Sequence, residues 1–208
     1  MDESRAPELS TTHDWAGVVD LDHLAGIRQD PAMFAPGGVR HLILEVIAYA
    51  ADEAESGNGG RCAVILHSDG SVSVSDNGRG TATRSDDRGA SVKKPVMTTK
   101  DLRFFDFPAA QLLPDGHPRR GISVVAALSE RLIHANRRVD GAWIQHYEHG
   151  VPVSDLMPVP GDGTTGTTVQ FLPDAALRAA GELAVGELAR LAASWQHLSV
   201  EIGDQRDG

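Results

Sequence analysis

The stretch Ser73-Val74-Ser75-Asp76-Asn77-Gly78-Arg79-Gly80 constrains this chain more than any other. An alternating strand ends there in an acidic residue and runs into a glycine-punctuated turn. Glycine lacks a Cβ, so the backbone can turn sharply away and leave the Asp76 carboxylate aimed into whatever space the fold encloses. Alone, Asp-Asn-Gly is ordinary turn chemistry. The flanking segments give it meaning.

Upstream, Val39, Leu42, Ile43, Val46, Ile47 and Ala50 recur at helical spacing, which predicts a helix from Val39 to Glu55. Glu45, Tyr49 and Asp52 stand at i, i+4 and i+7 and share one face, with Glu53 one step round. Such a stripe is either a solvated acidic face or, beside the Asp76 turn, one wall of a polar site. Between helix and turn, Arg61–His67 and Ser71–Ser75 read as two strands joined at Ser68-Asp69-Gly70, a hairpin signal. Downstream, a second hairpin runs from Leu132 to Glu148 and turns at Asp140-Gly141. Gly161 to Thr165 is a loop and Thr167 to Leu172 a strand. Pro173-Asp174 opens a long helix reaching Trp195, with Asp174 as its N-cap, and Leu198 to Ile202 is a last strand. Residues 1–20 are polar and read as a flexible tail, leaving 21–208 as one domain.

Composition excludes several classes of function. Acidic residues outnumber basic ones 29 to 19, a net charge of −10, so the basic footprint of nucleic-acid binding is missing and no direct nucleic-acid binding is expected. No apolar run is long enough for a membrane span, and no signal peptide is visible. The single cysteine, Cys62, cannot form an internal disulfide, which suits a cytoplasmic protein. The nine histidines show no zinc-site spacing. There is no Walker-A string, dinucleotide fingerprint or Gly-x-Ser-x-Gly elbow.

Glu45–Ala54, Asp69–Val74 and Asp76-Asn77-Gly78-Arg79-Gly80 together resemble the N-terminal ATPase domain of DNA gyrase B. That domain belongs to the superfamily of gyrase, Hsp90, histidine kinases and mismatch-repair ATPases. The resemblance continues in order through Gly121–Ser129, Tyr147–Pro152 and Gly166–Phe171 to the closing Gln205-Arg206-Asp207-Gly208, and begins upstream at Arg28–Met33. It implies an α+β fold: a two-layer α/β sandwich whose mixed, mostly antiparallel sheet is covered on one face by helices, with ATP held between the layers. By position, Asp76 would accept a hydrogen bond from the adenine amino group and Thr167 would support it. Arg79 would pack near the adenine and pair with Glu53. Glu45 would be the general base that activates the attacking water. Tyr49, Asp52, Gly78, Gly80, Arg119, Arg120 and Gly121 complete the implied nucleotide site.

The departures from the family are equally specific. Its first helix carries a magnesium-binding Asn one turn after the catalytic Glu, and Tyr49 stands there. A phenol is a poor ligand for Mg²⁺, which wants hard oxygens in tight octahedral geometry. The family's glycine-rich ATP lid is replaced by Leu113-Pro114-Asp115-Gly116-His117-Pro118-Arg119-Arg120-Gly121, a degenerate lid with two glycines. Arg119 and Arg120 either contact phosphate directly or are solvated lid residues beside a lost phosphate site. Phe104, Phe105 and Phe107 read as a packed anchor.

A working gyrase-type topoisomerase also needs a following transducer domain and cleavage core, which these 208 residues do not resemble. The resemblance therefore implies a stand-alone relative or a fragment, paired with a gyrase-like partner or a second copy. Trp15, Val18 and Val19 would exchange between protomers as an arm or dock on their own domain. The implied function is adenine-nucleotide binding with weak or partner-dependent ATP hydrolysis. The alternative is a non-catalytic interaction or regulatory module.

Overall fold

A computed structural model describes residues 19–57, 59–85, 91–105 and 111–206. The chain opens with helices α1 (Leu21–Gln29), α2 (Pro31–Phe34) and α3 (Val39–Ser56). Strands β1 (Gly60–Leu66), β2 (Val72–Asp76), β3 (Thr83–Ser85) and β4 (Ser91–Lys93) come next, followed by the short helices α4 (Leu102–Phe105) and α5 (Ile122–Ala127). The second half holds β5 (Ser129–Arg138), β6 (Gly141–Glu148), β7 (Val151–Pro152), β8 (Met157–Val159), β9 (Gly166–Pro173), α6 (Ala175–Ala179), α7 (Val185–Ala192) and β10 (Leu198–Asp204).

The main sheet runs β10-β1-β2-β9-β5-β6-β7, with β8 also on β6, and β3 and β4 form a separate ribbon. Among the described residues, only the β1–β10 pairing of the main sheet is parallel. A strand turns alternate side chains to opposite faces, and the register lines up like with like. Leu66, Val72, Phe171, Leu132 and Tyr147 form one cross-strand row, and all are buried. The next inward row is Val64, Val74, Val169 and His134, also buried. The row between them, Ile65, Ser73, Gln170, Ile133 and His146, is only half-buried. One face is therefore an apolar floor, and helices α3, α5 and α7 pack on it or against one another. This is the two-layer α+β sandwich that the sequence implied.

Helix α3 is the centre of the helical layer. Leu42, Ile43, Leu44 and Ile47 are fully buried, so the helix is covered nearly all round rather than on one stripe. Each such side chain contributes about 1.5–3 kcal/mol over leaving it exposed. Both predicted hairpins form. The first turns at Gly70 (φ 82°), where the Asp69 carboxylate accepts from the Ser71 amide at 2.9 Å and its hydroxyl at 2.6 Å. The second closes with Arg138 paired to Gly141.

The long helix expected from Asp174 to Trp195 does not form as one piece. It breaks into α6 and α7 around Gly181, a residue that costs about 1 kcal/mol against Ala inside a helix. The Arg206 guanidinium takes the Leu183 carbonyl at 3.1 Å, a group a continuous helix would have used. Asp174 sits at the N-terminus of α6, but its side chain makes no capping bond. It faces His149 at 3.4 Å instead.

At the N-terminal end, Val19 packs on the core, and the Asp20 side chain accepts the His23 amide at 3.0 Å to cap α1. Trp15, Val18, Asp207 and Gly208 lie outside the described residues. Among the described residues, no helix is long and apolar enough to cross a membrane.

Candidate functional site

Strand parity places the key carboxylate. Val72 and Val74 face the helical layer, so Asp76, two residues on, does too. It closes the inward row at the edge of a cavity of about 480 Å³ between α3 and the strand ends. That volume suits a small organic ligand. The walls are apolar at Val46, Ala50, Val74, Met97, Ile122 and Val169, with polar groups set among them.

At the strand end, the Asp76 carboxylate accepts the Gly78 amide at 2.8 Å, and the nearby Thr167 backbone N–H also favours its charged form. Burial pushes its pKa above the usual carboxylate value, and the two amides only partly offset that. The close approach of β9 requires glycine at 166, where φ is 131° and a Cβ would overlap the Asp76 carbonyl oxygen. Gly80 is held just as tightly. Its φ is 79°, and a Cβ would sit 2.5 Å from the Arg137 carbonyl oxygen and 2.6 Å from Asn136 Oδ1.

Asn136 clamps the loop after the turn. Its Oδ1 accepts the Thr81 amide at 2.7 Å, and its Nδ2 donates to the Thr81 carbonyl at 2.9 Å. Arg79 makes a two-pronged pair with Glu53, through Nε to Oε1 and through Nη2 to Oε2 at 2.9 Å. Asp76, Thr167, Glu53, Arg79 and Gly80 therefore all border the cavity. Gly78 lines an adjoining cleft of about 300 Å³.

The other end is built differently. Glu45 is fully buried, and its two oxygens accept the backbone N–H groups of Arg120 at 2.5 Å and Gly121 at 2.9 Å. His41, one turn earlier on α3, has Nε2 3.6 Å from Glu45 and Nδ1 2.8 Å from Asp115 Oδ2. Burial alone would lower the His41 pKa, but its two carboxylate neighbours outweigh that and raise it to about 9. Tyr49 donates its hydroxyl to Asp101 at 2.8 Å. Burial, followed by the Asp101 charge, raises this phenol far above its ordinary range, so it stays neutral.

Arg119 corrects the expectation of solvated lid arginines. Its side chain is 1% exposed and donates to both oxygens of Asp52, each at 2.9 Å, and to Gln111 at 3.0 Å. Its guanidinium carbon lies 4.8 Å from the Tyr49 ring centre and 4.5 Å from that of Phe104. The Arg120 guanidinium donates to the Phe104 carbonyl at 3.3 Å. Phe104 is buried, as expected of an anchor, and Phe105 packs on His23 and Phe34. Phe107 lies outside the described residues. Tyr49 and Asp52 border the cavity, whereas Glu45, Arg119, Arg120 and Gly121 do not line it.

Several site residues escaped the reading of the sequence. His41 precedes Glu45 by four residues on the same helix, so helical spacing carried the signal. Asn136 is a polar residue at an inward position of an alternating strand, which demands a buried partner. Asp101, Arg103 and Asp115 come from loops and a one-turn helix, where spacing carries no such cue.

An open, mostly antiparallel sheet, a long buried helix across it and an inward carboxylate at a strand end beside a glycine turn define an α/β sandwich of the gyrase/Hsp90 type. The comparison with known proteins agrees. The chain is 35% identical to the mitochondrial DNA gyrase B of Arabidopsis thaliana over 167 residues, covering 74% of this chain and 22% of that protein. It is 33% identical to DNA gyrase B of Archaeoglobus fulgidus over 204 residues, covering 90% and 32%. For the Mycolicibacterium smegmatis DNA gyrase B, identity is 34% over 161 residues, covering 76% and 24%. No protein-family model matches. The chain is thus a divergent relative of DNA gyrase B, and it spans about a fifth to a third of the length of these relatives.

Proposed function

We propose that this domain binds an adenine-bearing ligand in the cavity beside Asp76. One observation carries the reading: a carboxylate is held at the wall of an apolar cavity by the Gly78 backbone amide. A carboxylate has about four acceptor sites, so capacity remains for a donor such as an exocyclic amine. A buried group of this kind discriminates strongly, because a ligand lacking the donor leaves it unpaired. Thr167 and Gly80 shape its surroundings, and the apolar walls accept a flat ring. Calorimetric titration of adenine compounds into the protein and into Asp76→Asn tests this. Binding that survives the substitution would sink it.

The same geometry argues for a non-catalytic module, because Glu45, the candidate general base, is engaged by two lid amides. A second reading keeps weak or partner-dependent ATP hydrolysis. Its support is that the adjacent N–H groups of Arg120 and Gly121 donate to the two oxygens of one carboxylate, an arrangement suited to a phosphate once Glu45 lets go. In that reading a gyrase-like partner or a second copy opens the lid and supplies the missing cation, with Mg²⁺ held by the nucleotide rather than by Tyr49. Steady-state ATP turnover that depends on added partner and is lost in Glu45→Ala would establish it. We place the protein in the cytoplasm, acting without direct nucleic-acid contact, on its lone buried thiol and its charge of −10.

A further inference from the structure

We infer that this site selects an adenine nucleoside over the magnesium complex of the triphosphate. The inference rests on the adenine reading of the Asp76 cavity and adds the class of ligand. Three features of the closed end carry it.

The first is occupancy. The Arg119 side chain is buried between Tyr49 and Phe104 and donates twice to Asp52. A ligand phosphate that drew Arg119 away would leave Asp52 without that partner, beside new negative charge. The second is the balance of charge. Arg103 donates to Asp101 at 2.8 Å and to Asp52 at 3.1 Å, Arg119 is held by Asp52, and Arg79 is held by Glu53. Each of these guanidinium groups is already neutralised. The cavity wall sets the carboxylates of Asp52, Glu53 and Asp76 against Arg79, Arg103 and Lys94, so a triphosphate would meet no surplus of positive charge there.

The third is the loss of phosphate donors and metal ligands. The amides of Arg120 and Gly121 are spent on Glu45, which leaves both of its oxygens committed. The Tyr49 hydroxyl is committed to Asp101. A neutral phenol and an engaged carboxylate are a poor offer to Mg²⁺. A nucleoside asks for none of these groups. Its base needs the Asp76 end, and its sugar hydroxyls are donors that suit the acceptor-rich wall.

The test is calorimetric titration of the full chain with adenosine, AMP, ADP and ATP, each with and without Mg²⁺. We expect adenosine to bind at least about tenfold more tightly than ATP, and Mg²⁺ to leave that order unchanged. ATP binding as tightly as adenosine, or tighter, overturns the inference. If that ATP binding is also lost in Asp76→Asn, the adenine reading survives alone. If no adenine compound binds, the reading of the cavity falls and the inference with it.

A paired variant, Arg119→Gly with Asp52→Asn, removes both halves of the ion pair, while the amide oxygen left at position 52 can still accept from Arg103. It should raise the ratio of ATP to adenosine affinity at least about tenfold. An unchanged ratio in a variant that melts cooperatively would overturn the assignment of phosphate exclusion to this pair.

Discussion

The two polar regions along α3, one at Asp76 and one at Glu45, solve opposite problems. Near its C-terminal half, at the Asp76 end, polar groups are half-buried and not exhausted. The Gly78 amide takes one carboxylate oxygen, and an apolar cavity of about 480 Å³ stands open beside it. Near Glu45 the polar groups are largely engaged with one another, with Arg119 Nε and His41 Nε2 left without a hydrogen-bond partner. Glu45 takes two amides, Arg119 takes Asp52, and Tyr49 takes Asp101. Buried polar groups with spare capacity make a binding site, while buried polar groups that satisfy one another make a latch. In a divergent relative of gyrase B, this contrast separates retained ligand recognition from altered phosphate chemistry.

The contrast can be broken at either end. Asp76→Asn should cost the open end most, weakening adenosine binding about 100-fold by calorimetry, as expected when a charge-assisted bond is lost in an enclosed site. Gly80→Ala comes next. A residue at φ 79° with its Cβ against Asn136 and Arg137 should lose about 3 kcal/mol in chemical denaturation, and the loop it anchors should shift. A neutral loss would mean that the loop adapts and that the base end is less rigid than described.

At the closed end, Glu45→Gln replaces a charged acceptor by a neutral one that also carries donors. It should cost about 2 kcal/mol and speed hydrogen exchange of the amides at Arg120 and Gly121. Unaltered exchange there would remove Glu45 from the latch. A smaller effect should follow pH. The folded-state pKa of His41 is raised from 6.5 to about 9, so its contribution is complete below pH 6.5 and fades as pH rises through about 9. The melting temperature should therefore fall across that alkaline window, and less so in His41→Gln. Arg79→Ala should matter least. Its side chain is 79% exposed, and a surface ion pair is worth about 0–1 kcal/mol.

Much of the fold was legible because local rules govern it. The period-2 run Val72, Val74, Asp76 put the carboxylate on the covered face, and Asp69-Gly70 and Asp140-Gly141 marked the hairpins before any pairing was known. Helical spacing grouped Glu45, Tyr49 and Asp52. The helix after Asp174 was misread, because an apolar pattern of helical period says nothing of the carbonyl that Arg206 captures from 23 residues away. Arg119 of the lid fits neither alternative that the sequence left open, for the same reason. A basic pair in a loop is usually solvated, and only the approach of Asp52 from α3 buries Arg119.

By itself, then, the sequence determined the six longer strands of the main sheet, the central helix, the glycine turn and the inward aim of Asp76. Each follows from steric and periodic rules acting over a few residues. Only the tertiary structure decided which charges became partners. Arg119 lies 67 residues from Asp52, Gly121 lies 76 from Glu45 and Asp115 lies 74 from His41. An ion pair or a carboxylate–amide bond in a low-dielectric interior depends on distances of a few ångströms, and folding sets those distances only when helix and lid close on each other.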